Sequence, residues 1–302
     1  MVFLVSVMFN RIIKRLVYGS LNLMSPLEYA TPFEKLHAAS LLAQKARINK
    51  FACAIKTHVA DGDYVVELGS GSGLFSLIAA KAGAKKVTGV EINPDSIAYA
   101  KEAARINGLE ERVEFVESHY LSFKPQQKAD VVICEMLSSM LLVEQQVTAC
   151  YHAVSSLLRS GGTILPHNAR VYIAPATCPS LLERFRWNQL SFPRVPQTVG
   201  PDKFTPLSEP KLLAEFDFSR QDPPERVDKI LEFRIQDDDP LTGVVGYFEV
   251  AVDEEVTLHM DDGWRHLFLS FDTAKRVSEG DVVRVHISYM PGHVDTLEMQ
   301  LK

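Results

Sequence analysis

Four glutamates and one glycine run supply the residue types in this sequence that could do chemistry. Val66-Glu67-Leu68-Gly69-Ser70-Gly71-Ser72-Gly73-Leu74 reads as a strand, a tight loop and a helix start. Gly69, Gly71 and Gly73 lack the side chains that would keep a ligand from the backbone. A plain tight turn or a dinucleotide loop would look similar. Glu91, in Val90-Glu91-Ile92, ends the next strand 18 residues beyond Gly73, where a carboxylate can accept hydrogen bonds from ribose hydroxyls. Glu67 divides the options, because a carboxylate beside a pyrophosphate is repelled, whereas one beside an ammonium group is attracted. The second pair is Glu135 and Glu144, nine residues apart across Met-Leu-Ser-Ser-Met-Leu-Leu-Val. Glu135 follows a buried strand, and open α/β sheets place ligands at the carboxyl ends of their strands. A hairpin-like loop between the two would aim both carboxylates into one pocket, where they could orient a guanidinium by charge-assisted, bidentate hydrogen bonds. The structural alternative is that Glu144 starts a helix, where an acid suits the dipole, and that Glu135 is a loop acid.

The elements that must position these residues follow from the apolar pattern. Helical spacing over 34–59 predicts one or two helices before the first strand. Strands are then predicted at 64–68, 86–91, 112–117 and 130–134, with helices at 74–82, 94–107 and 144–158; Pro94 opens the second of these helices and Gly108 closes it. This alternation implies a parallel sheet covered on both faces, a doubly wound Rossmann-like α/β domain. Past Gly161-Gly162 the pattern turns to short strands at 169–174, 212–218, 230–235, 246–252, 266–271, 282–289 and 296–301, a β-barrel-like or sandwich domain. Between its first two strands, 175–210 holds seven prolines and room for one short helix near Leu181 to Trp187. The expected division is an extension over 1–33, a ligand-binding domain over 34–166 and a β domain over 167–302.

Composition sets outer bounds. The 302 residues can bury a full core and favour two domains. A formal net charge of −6 argues against generic nucleic-acid binding and suits a basic or neutral substrate. Cys53, Cys134, Cys150 and Cys178 lack the spacing of a zinc site or the density of a disulfide scaffold, so no metal and a reducing cytoplasm are expected. The apolar run 1–9 is too short to span a membrane, and its positive charges follow it rather than precede it, unlike a secretory signal.

Residues 65–91 and 130–166 resemble the class I methyltransferases that use S-adenosylmethionine and, among them, the protein arginine methyltransferases. The likeness rests on the glycine-rich loop, on Ala79 to Val87 as a helix exit, on Gly89-Val90-Glu91 and on the Glu135/Glu144 loop, and it continues more weakly to the C-terminus. It implies methyl transfer to arginine side chains of protein substrates, with Glu135 and Glu144 as the catalytic pair. It further implies a cofactor site in which Glu67, Gly69, Ser70, Gly71, Gly73 and Leu74 form the loop. Glu91 with Ile92 would hold the ribose, His119 and Tyr120 would flank the adenine, and Arg47 would pair with the cofactor carboxylate. Methyltransferases acting on amide or adenine nitrogens usually carry an Asn/Asp-Pro-Pro-aromatic element after this strand; Cys134-Glu135-Met136-Leu137 stands here instead, which favours a cationic nitrogen. The chain departs from the family in two places. An N-terminal segment with two tyrosines is matched only by Tyr29 and Phe33. A Thr-His-Trp loop is matched by Asp261-Asp262-Gly263-Trp264, without the histidine, for which His266 or His293 are candidates. The alternatives are another amine or small-molecule nitrogen as acceptor, or a cofactor-binding partner protein without catalysis. A homodimer is expected through the insert 175–210, with Phe185, Trp187 and Leu190 as its apolar contact.

Overall fold

The computed structural model describes residues 41–221 and 225–302. The expected extension 1–33, Tyr29 and Phe33 lie outside these residues, as does the first part of the expected helical region 34–59. Helix α1 (Lys45–His58) buries Arg47, Phe51, Ala54 and Ile55, the i, i+4, i+7, i+8 positions of one face. That face lies on α2 (Leu74–Ala82), with the Phe51 and Phe75 ring centroids 4.9 Å apart.

Strands β1 (Tyr64–Leu68), β2 (Lys86–Glu91), β3 (Val113–Glu117), β4 (Ala129–Cys134) and β5 (Leu158–Leu165) form a parallel sheet in the order β3-β2-β1-β4-β5. Helix α3 (Pro94–Ile106) is capped by the Asn93 side chain, which accepts from the Ser96 N–H at 2.9 Å. The chain leaves β1 toward β2 and later returns to the other side of β1 through β4. The loops after β1 and β4 therefore diverge at a switch point and open a crevice between them. One is the glycine run and the other begins at Glu135.

Two local expectations are corrected. The predicted helix 144–158 is shorter: α4 (Gln146–His152) starts after Glu144 and ends in one π-helical turn, Ala153–Leu157. The Glu144 N–H is held by Ser138 Oγ at 3.0 Å, which ties that residue to the preceding loop and out of the helix. Gly161 and Gly162, past which the sequence pattern changes, lie inside β5, a fifth strand that the pattern did not mark. Gly162 is needed there because a Cβ would sit 2.8 Å from the Asp130 carbonyl on β4.

The second half is antiparallel and curled. Its larger sheet contains β6 (Asn168–Thr177), β9 (Gln197–Val199), β10 (Thr205–Pro206), β11 (Lys211–Asp217), β13 (Leu241–Ala251), β14 (Thr257–Leu258) and β15 (His266–Lys275). A three-stranded sheet is made by β12 (Val227–Arg234), β16 (Val282–Met290) and β17 (His293–Leu301). The insert after β6 forms helix α5 (Pro179–Arg184) and a small hairpin of β7 (Arg186–Trp187) and β8 (Leu190–Ser191). The architecture is thus a Rossmann-like domain followed by a β-barrel-like one.

The two halves meet on the loop after β4. Met140 and Leu141 take left-handed φ angles of 60° and 51°, a conformation that costs a non-glycine residue roughly 1–3 kcal/mol and persists only where its surroundings impose it. Here the β half imposes it. Tyr289 Oη donates to the Met140 carbonyl at 2.9 Å, Gly292 N to the Leu141 carbonyl at 3.0 Å, and Trp264 Nε1 to the Leu137 carbonyl at 2.9 Å. Gly246 on β13 leaves room for the buried Met140 side chain, since a Cβ there would lie 2.2 Å from its sulfur. Gly246→Val should therefore destabilise the protein by about 1–3 kcal/mol through overpacking. Adding Met140→Ala should recover part of the loss. A thermal unfolding midpoint unchanged in Gly246→Val would show that the loop is not clamped at this point.

Candidate functional site

The loop after β1 is built from three left-handed glycines, Gly69, Gly71 and Gly73, with φ of 69°, 49° and 75°. It is laced to the end of β2: Gly69 and Ser70 N–H groups donate to the Val90 carbonyl at 2.9 and 3.1 Å, and Gly71 N–H to Glu91 Oε2 at 2.9 Å. The other Glu91 oxygen accepts from Ile92 N at 2.8 Å and Asn93 N at 2.9 Å. Loop and acid thus form one unit at the carboxyl end of the sheet. Glu67 is fully inside it: its Oε2 accepts from Ser76 N at 2.7 Å and from the Ser76 hydroxyl, fastening the first turn of α2. Burial outweighs these bonds and pushes its carboxyl up to about 8.

A cavity of about 70 Å³ is walled by Glu67, Gly69, Ser70, Gly71, Leu74 and Glu135, with Arg47 entering from α1. Leu41, Leu42 and Ile48 close its outer side; sequence reading marked them only as apolar helix positions. Gly73 caps α2 at the end of the loop, with Phe115 filling the space where its Cβ would be. His119 and Tyr120 stand together past β3, ring centroids 4.4 Å apart. The Tyr120 hydroxyl donates to Gln145 Oε1 at 3.1 Å, and burial foremost pushes its pKa up to about 12. A larger cleft, about 990 Å³, lies between the π-helical turn, β5 and β11. It is remote from the strand ends that carry the glycine loop and Glu135, which line the smaller cavity.

Arg47 is the centre of the charged cluster. Its Nη2 is ion-paired with Glu135 Oε2, its Nη1 donates to Gln44 Oε1 at 3.0 Å, and its guanidinium lies 4.5 Å from the Trp264 ring centroid. Loss of water lowers its pKa to about 10, against the raising effect of Glu144. Glu144 reaches the solvent, yet desolvation in the cleft lifts its carboxyl above the ordinary range and Arg47 only partly offsets this. Glu135 thus pairs with the guanidinium directly, and Glu144 acts on it only through longer-range attraction. Sequence reading assigned Arg47 to a cofactor carboxylate; here it is engaged by Glu135.

Several supporting groups were not legible beforehand. Gln146 accepts from Met136 N at 2.6 Å and donates to the Cys134 carbonyl at 2.9 Å, fixing the backbone on both sides of Glu135. Gly263 stands where the resemblance puts histidine, and a Cβ there would meet Gln44 Oε1 at 2.6 Å, so an uncharged amide from the start of α1 fills the space. Neither candidate histidine takes that place: His266 packs against Phe204 and Tyr247, and His293 is exposed at the start of β17.

Comparison with known proteins agrees with this geometry. A family described as "Methyltransferase domain" matches residues 60–193. The chain is 33% identical over 141 residues to the probable protein arginine N-methyltransferase 6 of Arabidopsis thaliana, covering 46% of this chain and 32% of that protein. It is 32% identical over 184 residues to an uncharacterized protein of Methanocaldococcus jannaschii, covering 61% and 66% respectively. The aligned stretch thus spans about a third of the plant protein's length. Among solved structures, the Trypanosoma brucei PRMT1 enzyme–prozyme heterotetrameric complex with AdoHcy aligns with a TM-score of 0.73 at 20% identity, covering 86% of this chain and 90% of that one. Residues 60–193 match a methyltransferase domain, and the chain resembles the protein arginine N-methyltransferases in part of its sequence and in its fold.

Proposed function

We propose that this protein is an S-adenosylmethionine-dependent N-methyltransferase whose acceptor is the guanidinium of arginine side chains in protein substrates. The observation that carries the proposal is the charge of the cleft. Arg47 pairs with Glu135 and feels the charge of Glu144 at longer range, so two carboxylates to one guanidinium leave a negative charge for a cationic acceptor to neutralise. The loop residues fit the cofactor. Side chains at Gly69 would be blocked by Met136 at 2.9 Å, and the Ser70 hydroxyl is buried without a hydrogen-bond partner beside the cavity. The loop backbone would hold the amino-acid part, Glu91 the ribose, and His119 with Tyr120 the adenine. When bound, the cofactor supplies an electrophilic methyl group.

The protein's own work is positioning and electrostatics. Glu135 and Glu144 orient the acceptor and offset the positive charge that it carries. Glu144, held above the usual carboxylate range, suits removal of the guanidinium proton. Arg47 occupies Glu135 in the free protein, so a cofactor carboxylate that draws Arg47 away would free Glu135 for the substrate. The four free cysteines suit a reducing compartment such as the cytoplasm, and among the described residues no helix is long and apolar enough to cross a membrane.

The solved relative is a heterotetramer, and the insert of this chain offers a surface for self-association. Trp187, Leu190, Phe192 and Val195 are 70%, 61%, 54% and 53% exposed, so the hairpin does not fold back on its own domain. We assign it to a two-fold homodimer contact.

Two variants separate binding from chemistry. Glu91→Ala should weaken cofactor binding at least about tenfold by calorimetry, as expected for loss of a charged acceptor worth ~1.5–3 kcal/mol. Glu144→Gln should keep cofactor affinity near wild type and depress turnover strongly, because an amide cannot form the charge-assisted fork. Normal turnover in Glu144→Gln would refute the double-carboxylate mechanism. For the assembly, light scattering should give a dimer at micromolar concentration for wild type and a monomer for Trp187→Ala. A monomeric wild type rules out the dimer, and a dimeric variant puts its contact elsewhere.

A further inference from the structure

Where the parallel sheet gives way to the β half, at the opposite end of α1 from Arg47, three segments bring together two histidines and two carboxylates that the proposed reaction does not use. His58 ends α1, His167 lies between β5 and β6, and Asp253 and Glu254 form the turn between β13 and β14. Ligand atoms of His58, His167 and Glu254 all lie within 4.8 Å of one another. His58 Nε2 is 3.3 Å from Asp253 Oδ2, and His167 Nδ1 is 3.8 Å from Glu254 Oε1.

The polar atoms here are arranged for a partner other than each other. Asp253 is 4% exposed at its side chain, and its Oδ1 is fully used, accepting from Glu255 N at 2.9 Å and Val256 N at 2.7 Å. Its Oδ2 takes no hydrogen bond among the described residues and points at His58. His58 Nε2 is itself buried and has no hydrogen-bond partner. A buried imidazole nitrogen without a hydrogen bond is under-satisfied, which is costly. The His58 and His167 rings meet edge to face, 5.6 Å between centroids, which leaves both nitrogens turned toward the acids.

We propose that His58, His167 and Glu254, with Asp253 beside His58, form a binding site for a divalent transition-metal ion of the zinc type. Two imidazoles and a carboxylate match the ligand preferences of that ion, and hard cations such as magnesium or calcium would take an all-oxygen set. An ion about 2.0–2.2 Å from each ligand needs donor atoms roughly 3.3–3.6 Å apart, so the three mutually close groups must draw in by only about 1 Å, within the reach of the exposed Glu254 side chain. The ion would join the last turn of α1 to the β13–β14 turn and so brace the two halves against each other. Cys53, the exposed cysteine one turn before His58, takes no part in it.

The test uses the full chain stripped with chelator, with zinc chloride alone as the probe. Calorimetry and elemental analysis after gel filtration should give one zinc per chain in wild type and in Cys53→Ser. The double variant His58→Gln/His167→Gln should lose at least tenfold in affinity, together with the rise in melting temperature that zinc gives wild type. Glu254→Gln lies on the surface and keeps folding out of question; it should weaken zinc binding with an unchanged circular dichroism spectrum. Cobalt substituted for zinc should show absorption of a nitrogen and oxygen site without a thiolate charge-transfer band. Absence of stoichiometric zinc in wild type overturns the proposal. So does binding undiminished in both His58→Gln/His167→Gln and Glu254→Gln, or binding that is lost in Cys53→Ser.

Discussion

The structure depends on a guanidinium taken out of water and paired with a carboxylate. Arg47 is 8% exposed, and a charge so placed is tolerable only when paired and hydrogen-bonded. Glu135 pairs with it, Gln44 accepts from it and the face of Trp264 covers it. Removing one partner of such a buried pair costs about 3–5 kcal/mol, much of it the charge left alone. The cluster is also unbalanced, with two carboxylates to one cation, and the imbalance is what a positively charged acceptor would correct. Stability and selectivity for the acceptor thus draw on the same residues.

Holding Glu135 and Glu144 toward one point requires a loop that the parallel sheet cannot shape by itself. Eleven residues leave β4 and return to α4 through two left-handed, non-glycine positions. The β half supplies what this costs: three hydrogen bonds from Tyr289, Gly292 and Trp264 reach carbonyls of the loop, and Gly246 makes space for Met140. The second domain is in this sense part of the active cleft. Its Trp264 serves twice, fixing Leu137 through the indole nitrogen and Arg47 through the ring.

What could be read from the sequence was what local chemistry dictates. The glycine loop, the acid ending β2, the strand before Glu135 and the switch to a β half each follow from periodicity and residue type within a few positions. The β5 strand was not legible, because its Gly161-Gly162 pair reads as a turn until Gly162 is seen packed against the Asp130 carbonyl. The start of α4 was misplaced because Glu144 suits a helix N-terminus by type, and only the bond to Ser138 keeps it outside. The partners of Arg47 and Met140 come from up to 217 and 149 residues away, at Trp264 and Tyr289, and no local pattern reports such contacts. Gly263 beside Gln44 is of the same kind, a missing side chain whose meaning lies on another element.

In the reading proposed above, the cleft selects its acceptor by positive charge. Transfer of labelled methyl from S-adenosylmethionine to three peptides identical except at one residue tests this: arginine, its neutral isostere citrulline, and lysine. Label is expected on the arginine peptide, on the guanidinium nitrogens by mass spectrometry, with none on citrulline and little on lysine, which lacks the planar fork. Equal labelling of the citrulline peptide would contradict it, because a neutral acceptor would then serve as well as the cation for which Glu135 and Glu144 are arranged.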